Sequence, residues 1–218
     1  MSWADVPDGS LEIARAIMEA VRVKDPETHD HGVRVSRGSR LLARAAGLSL
    51  SEQTMIEFVG LFHDIGKIGV PDQILFKPGK LTPEEMEIMK EHPRMSAQIL
   101  EPLAHMEFFR RLIPGVLHHH ERYDGAGYPI GMKGDEIPLP ARIVLIADTF
   151  DAMTADRAYR KGLPPEVAYK ELRDHAGTQF DPHLVKIYLE AKPKWNERED
   201  AVFREMNELV LKGNRSVA

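Results

Sequence analysis

Residues 61–67 read Leu-Phe-His-Asp-Ile-Gly-Lys. An apolar run ends here in an adjacent imidazole and carboxylate, and Lys67 follows three residues after the carboxylate. Neighbours on a helix point about 100° apart, but at a helix end His63 and Asp64 can both reach one small volume. Burying a carboxylate beside an apolar stretch is costly without a partner, so a cation is the natural occupant of that volume. Taken alone, the pair reads more readily as a helix cap. The stretch before it decides the fold. Ser49 and Glu52 make a capping box, and Met55, Ile56, Phe58, Val59, Leu61 and Phe62 make the helix apolar nearly all round, hence central and buried.

Working outward, residues 11–23 show helical apolar spacing, as a helix packed on the domain or a stub of a link. Asp25-Pro26 is a cap followed by a first-turn proline, opening a helix that runs to Ala46 and stops at Gly47. Residues 66–80 are rich in Gly and Pro and read as a loop. Thr82-Pro83-Glu84-Glu85 opens another helix, which should break at His92-Pro93. Further helices are expected over 94–103, over 108–121 with Pro114-Gly115 as a candidate split, over 139–153, 164–176 and 181–191. Residues 122–138 hold four glycines and two prolines and form a loop, while 192–218 read as a charged peripheral helix with a frayed end. Period-two alternation is absent, which makes the fold all-α. The expected organisation is an N-terminal helix or linker stub (1–24), a catalytic domain (25–192) and a peripheral helix and tail (193–218).

Composition narrows the function. The chain has 218 residues, a formal net charge of -5 and no cysteine. Thiolate metal sites, disulfides and a cysteine nucleophile are thereby excluded. No basic stripe supports duplex nucleic-acid binding. No stretch approaches the ~20 apolar residues of a membrane span, and MSWADVPDGS lacks a signal-peptide layout. A cytoplasmic protein is the expectation.

Histidine, at ten residues, is the unusual count. Glu27 and His31 share a helix face; His63-Asp64, His92 and His119-His120 are expected at the ends of three other helices, and Asp148 interrupts a buried one. Each has a bland reading: a charge on a helix dipole for His92 and Glu27, a solvated face for the triple His, an arginine partner (Arg142 or Arg157) for Asp148. All of these would have to hold together, and one shared metal site is the simpler account. The inventory exceeds the four ligands of a single zinc and suits two divalent ions, or three. All-N/O ligation admits Fe, Mn, Zn, Ni or Co.

At these residues the sequence resembles a known family. His63-Asp64-Ile65-Gly66-Lys67 is similar to the HDxGK signature of HD-domain phosphohydrolases. His119-His120-Glu121-Arg122-Tyr123-Asp124-Gly125-Ala126-Gly127-Tyr128-Pro129 resembles the HHExxDGxGYP signature of the HD-GYP subfamily. The similarity runs from about residue 25 to 181. It implies an all-α HD-domain helical bundle with long Gly/Pro-rich loops, hydrolysing cyclic di-GMP to pGpG, GMP or both. By position it implies one metal on His31, His63, Asp64 and Asp148, and a second on Asp64, His92, His119 and His120. Glu27 stands where a trinuclear subset carries a third-metal glutamate, and Fe or Mn is the expected ion. His118 is then an adjacent non-ligand, and His29, His105, His175 and His183 are ordinary surface or helix residues.

The chemistry expected there is attack on phosphorus by a hydroxide spanning two metals over Asp64, in line with the departing 3′ oxygen. Lys67 is assigned to a phosphate oxygen or the nucleophile. The resemblance gives Arg157, Arg160 and Lys161 to substrate phosphates, where the guanidinium fork suits the task. Asp124, Gly125, Gly127, Tyr128 and Pro129 shape the rim, and in the family this loop is proposed to touch GGDEF-type cyclase domains. Another cyclic dinucleotide such as cyclic GMP-AMP is the alternative substrate, and a catalytically weak interaction module is the reading from a different class. Relatives often carry a sensor domain ahead of the catalytic one, where this chain has room only for a short helix; the oligomeric state stays open, a dimer included.

Overall fold

A computed structural model of the chain describes residues 6–156 and 161–195. Among the described residues ten α-helices follow in chain order: α1 (Asp8–Lys24), α2 (Pro26–Ala45), α3 (Leu50–Phe62), α4 (Asp72–Leu75), α5 (Pro83–Met89), α6 (His92–Leu100), α7 (Glu107–Leu117), α8 (Leu139–Thr154), α9 (Pro165–Asp174) and α10 (Pro182–Ala191). Among the described residues there is no strand, only an isolated bridge between Ala176 and Phe180. The fold is all-α.

Local chemistry explains the starts and stops. Asp25 accepts the Glu27 backbone N–H and Pro26 occupies the first turn of α2; Gly47 follows the helix with a φ of 77°. Both predicted capping boxes, Ser49 with Glu52 and Thr82 with Glu85, are formed. From Gln53 onward α3 is buried on all sides, as its composition demands, with Phe58, Val59 and Phe62 fully inaccessible. Each such side chain contributes roughly 1.5–3 kcal/mol.

The core has two parts. One gathers α1, α2, α3 and α7 around Phe58, Phe62 and Phe109; the other gathers α8, α9 and α10 around Phe150, Phe180 and Tyr188. The first helix packs through Leu11, Ala14, Met18 and Val21 into the same core as α3. α2 crosses both parts, and its buried Arg40 reaches Glu57 of α3 at 2.5 Å.

Three expectations need correction. The stretch 66–80 is not all loop: a 3₁₀ turn spans Ile65–Gly69 and α4 follows Pro71. His92 does not end a helix but starts α6, because Pro93 is tolerated in a first turn. α7 runs unbroken through Pro114; its packing on α3 and α6 outweighs the lost backbone bond. Beyond α10 a 3₁₀ turn spans Lys192–Lys194, and the rest of the expected peripheral helix lies outside the described residues.

Candidate metal centre

Five elements bring donors to one place. α2 supplies His31, the end of α3 supplies His63 and Asp64, and the start of α6 supplies His92. The turn after α7 supplies His119 and His120, and α8 supplies Asp148. Two overlapping sets converge, Asp64 with His92, His119 and His120, and His31 with His63 and Asp64; within each set the donor atoms lie within 4.8 Å of one another. Asp64 is common to both. His31 Nε2 lies 3.0 Å from Asp148 Oδ1, which is 4.0 Å from His63 Nε2, so Asp148 adjoins the second set.

The rings are oriented from behind. The Nδ1 atoms of His63, His92 and His119 each donate at 2.7 Å to a main-chain carbonyl three residues earlier, those of Gly60, Met89 and Val116. His31 Nδ1 donates at 2.7 Å to Asp151 Oδ2. A carbonyl oxygen can only accept, so in His63, His92 and His119 a proton sits on Nδ1, and in the neutral ring Nε2 presents a lone pair. Those lone pairs meet. His92 Nε2 stands 3.3 Å from His119 Nε2, and His63 Nε2 and Asp64 Oδ1 are buried without a hydrogen-bond partner. His92 Nε2 is 3.1 Å from that Asp64 oxygen. Facing lone pairs and an orphaned carboxylate oxygen in a buried volume call for cations, and the all-N/O set suits divalent ones.

Electrostatics agree. Burial and the neighbouring imidazoles push His119 well below its usual range, and burial with His92 takes His120 to about 3, which keeps both rings neutral. Burial opposes the charge of Asp64, but His63 and Lys67 outweigh it and hold the carboxyl well below the ordinary range. Burial also lowers His31, yet its bonds to Asp148 and Asp151 prevail and raise it to about 9.

Lys67 places Nζ 2.5 Å from Asp64 Oδ2. The Tyr128 ring packs on His120 with centroids 4.8 Å apart, and burial pushes its phenol upward. Asp124 is tied to Arg122 at 2.6 Å and accepts the Ala126 backbone N–H; Gly125 turns the loop with a φ of 85°. The Pro129 carbonyl accepts from Arg94, and Gly127 sits against the backbone of Glu121 and Arg122. This loop therefore forms the rim, with Tyr128 reaching the donors. Glu27 is half-buried one turn before His31 and is outside both converging sets. Lys161 is exposed, while Arg157 and Arg160 lie outside the described residues.

Four contributors escaped the sequence reading. Asp151 and Arg34 back His31. Ser96 donates to the His63 carbonyl and accepts the Gly66 N–H, both at 2.8 Å. Glu121, wholly buried, accepts backbone N–H groups from Ile130, Gly131 and Met132. The i+3 spacings of Asp148 with Asp151 and His31 with Arg34 were the available signals.

Comparison with known proteins agrees with this geometry. The family model of the HD domain matches residues 15–184. A Thermotoga maritima protein named cyclic di-GMP phosphodiesterase is 41% identical over 94% of this chain and 55% of its own length. A Vibrio cholerae protein named 3'3'-cGAMP-specific phosphodiesterase 2 is 38% identical over 88% of this chain and 36% of its own length. The chain thus spans about half or less of these relatives. Among solved structures, Bd1817, a HDG"Y"P protein from Bdellovibrio bacteriovorus, superposes with a TM-score of 0.61 at 25% identity, covering 76% of this chain and 52% of that one.

Proposed function

The chain belongs to the HD-domain family, and from that premise we propose that it is a metal-dependent phosphodiesterase opening a cyclic dinucleotide, cyclic di-GMP first, to pGpG, GMP or both. The carrying observation is the pair of donor sets sharing Asp64, with orphaned lone pairs turned inward. In this proposal His31, His63, Asp64 and Asp148 hold one divalent ion, and Asp64, His92, His119 and His120 hold the other. Iron or manganese are the favoured ions, with Zn, Ni and Co admitted by the donor chemistry. When bound, such ions neutralise phosphate charge and make water acidic enough to attack near neutral pH.

The protein's own groups bind and orient. No side-chain nucleophile is required, and water attacks: its oxygen bonds to phosphorus, the P–O3′ bond breaks, and a proton ends on the departing oxygen. Lys67, beside Asp64, contacts a phosphate oxygen or steadies the attacking water. Tyr128 shields His120 from solvent. Arg157, Arg160 and Lys161 are offered for the second phosphate, Glu27 for a third ion, and the loop around Tyr128 for GGDEF-type partners. No helix among the described residues is long and apolar enough to cross a membrane.

The identity to a cGAMP-specific Vibrio relative supports a second substrate reading on the same machinery. The test is incubation of Mn(II)- or Fe(II)-loaded protein with cyclic di-GMP and, separately, 3'3'-cGAMP, followed by chromatography. Cleavage of the first, faster than of the second, is expected. The reverse ranking selects the alternative, and cleavage of neither refutes the proposal.

A further inference from the structure

The two halves of the centre are not backed alike. His63, His92 and His119 donate Nδ1 to the carbonyl three residues earlier in their own segment, an arrangement any residue type can supply. His31 instead reaches 120 residues along the chain to the Asp151 carboxylate at 2.7 Å. Asp151 follows Asp148 by three residues, so both lie on one face of α8. α8 therefore meets the His31 ring at both nitrogens, with Asp148 Oδ1 3.0 Å from Nε2 and Asp151 Oδ2 behind Nδ1. Asp151 is fixed in turn by Arg34, whose Nε and Nη2 donate at 2.7 and 3.1 Å. Arg34 lies one turn after His31 on α2, which closes the ring of contacts.

An imidazole that donates into a carboxylate is a stronger electron donor at its other nitrogen than one that donates into an amide carbonyl. The Arg34 fork occupies both Asp151 oxygens, which keeps that carboxylate oriented on Nδ1 and away from the ions themselves. We infer that Asp151 is a positioning residue that makes the ion position built on His31, His63, Asp64 and Asp148 the tighter of the two. That position fills first, and Arg34 holds Asp151 to the task. The inference rests on the two-ion reading above.

Titration of chelator-stripped protein with Mn(II), followed by calorimetry and by the loss of the free-ion EPR signal, tests it. Wild type is expected to take up two ions with separable constants. Asp151→Asn should weaken the tighter constant by about 10–100-fold and leave the weaker one within about threefold. An unchanged tight constant, or equal loss at both positions, overturns the inference while the two-ion centre stands. Uptake of fewer than two ions by wild type overturns both. Should Asp151→Asn fail to fold by circular dichroism, Asp151→Glu, which keeps the charge but displaces it by a methylene, must show the same selective weakening; its absence is equally decisive.

Discussion

His92 and His119 face each other Nε2 to Nε2 at 3.3 Å, each with its Nδ1 proton committed to a carbonyl behind it. In the neutral rings two lone pairs face each other at that distance and repel unless a cation lies between or beside them. Divalent metal should therefore stabilise the fold. At a hundredfold excess over its dissociation constant a ligand adds about 2.7 kcal/mol, and a domain of this size gains roughly 2–4 °C per kcal/mol. Calorimetric melting should show a rise of several degrees with Mn(II) over chelator, and a smaller rise for His92→Ala/His119→Ala, which keeps only the ion position built on His31, His63, Asp64 and Asp148.

The pH response of the metal-free protein follows from His31. Its pKa rises from 6.5 unfolded to about 9 folded, so its contribution is complete below pH 6.5 and disappears as pH climbs through 9. The loss should approach about 3 kcal/mol. Urea unfolding in chelator at pH 6 and pH 9.5 measures it, and His31→Gln should flatten the difference. Metal uptake at pH 7.5 should release about one proton from the same ring.

Ser96 and Gly66 join the two donor sets. A Cβ on Gly66 would lie 2.2 Å from the His92 carbonyl oxygen and 2.4 Å from the Ser96 backbone nitrogen, contacts with backbone that cannot yield cheaply. Gly66→Ala should cost about 1–3 kcal/mol or more. Ser96→Ala, which orphans the Gly66 N–H, should cost about 1–3 kcal/mol. Denaturant titration measures both, and both should also lower metal stoichiometry, since His63-Asp64 and His92 would lose register.

Glu121 clasps the rim. Its carboxylate accepts from three successive backbone N–H groups, and the loop it holds carries the Tyr128 ring to His120. Glu121→Gln puts an NH₂ where an acceptor is needed and should cost about 1.5–3 kcal/mol. Limited proteolysis should then cut within 122–132, a region resistant in wild type.

What the sequence disclosed, and what it hid, has a physical pattern. Capping boxes, first-turn prolines and the all-round apolar α3 are local signals, and from them His63 and Asp64 could be set at a helix end beside a cation. The donor residues were readable because imidazoles and carboxylates in apolar surroundings need a common partner. His92 was set on the wrong side of its proline because Pro93 ends one pattern and starts another with equal ease. Pro114 suggested a break that tertiary packing overrides. Asp151 showed only its i+3 spacing from Asp148, because its partner lies 120 residues away, and Glu121 stayed hidden because its role depends on a loop's backbone path, which leaves no periodic trace.

Asp64, shared by both donor sets, carries the proposed metal-dependent phosphodiesterase activity. The most direct measurement is chromatographic analysis of cyclic di-GMP incubated with wild type and Asp64→Asn, each stripped with chelator and then resupplied with Mn(II) or Fe(II). Linear pGpG or GMP is expected from metal-loaded wild type alone, with a loss of about 100-fold or more in Asp64→Asn, of the order expected when a ligand common to both ions is removed. Cleavage that persists in chelator, or survives undiminished in Asp64→Asn, would contradict it.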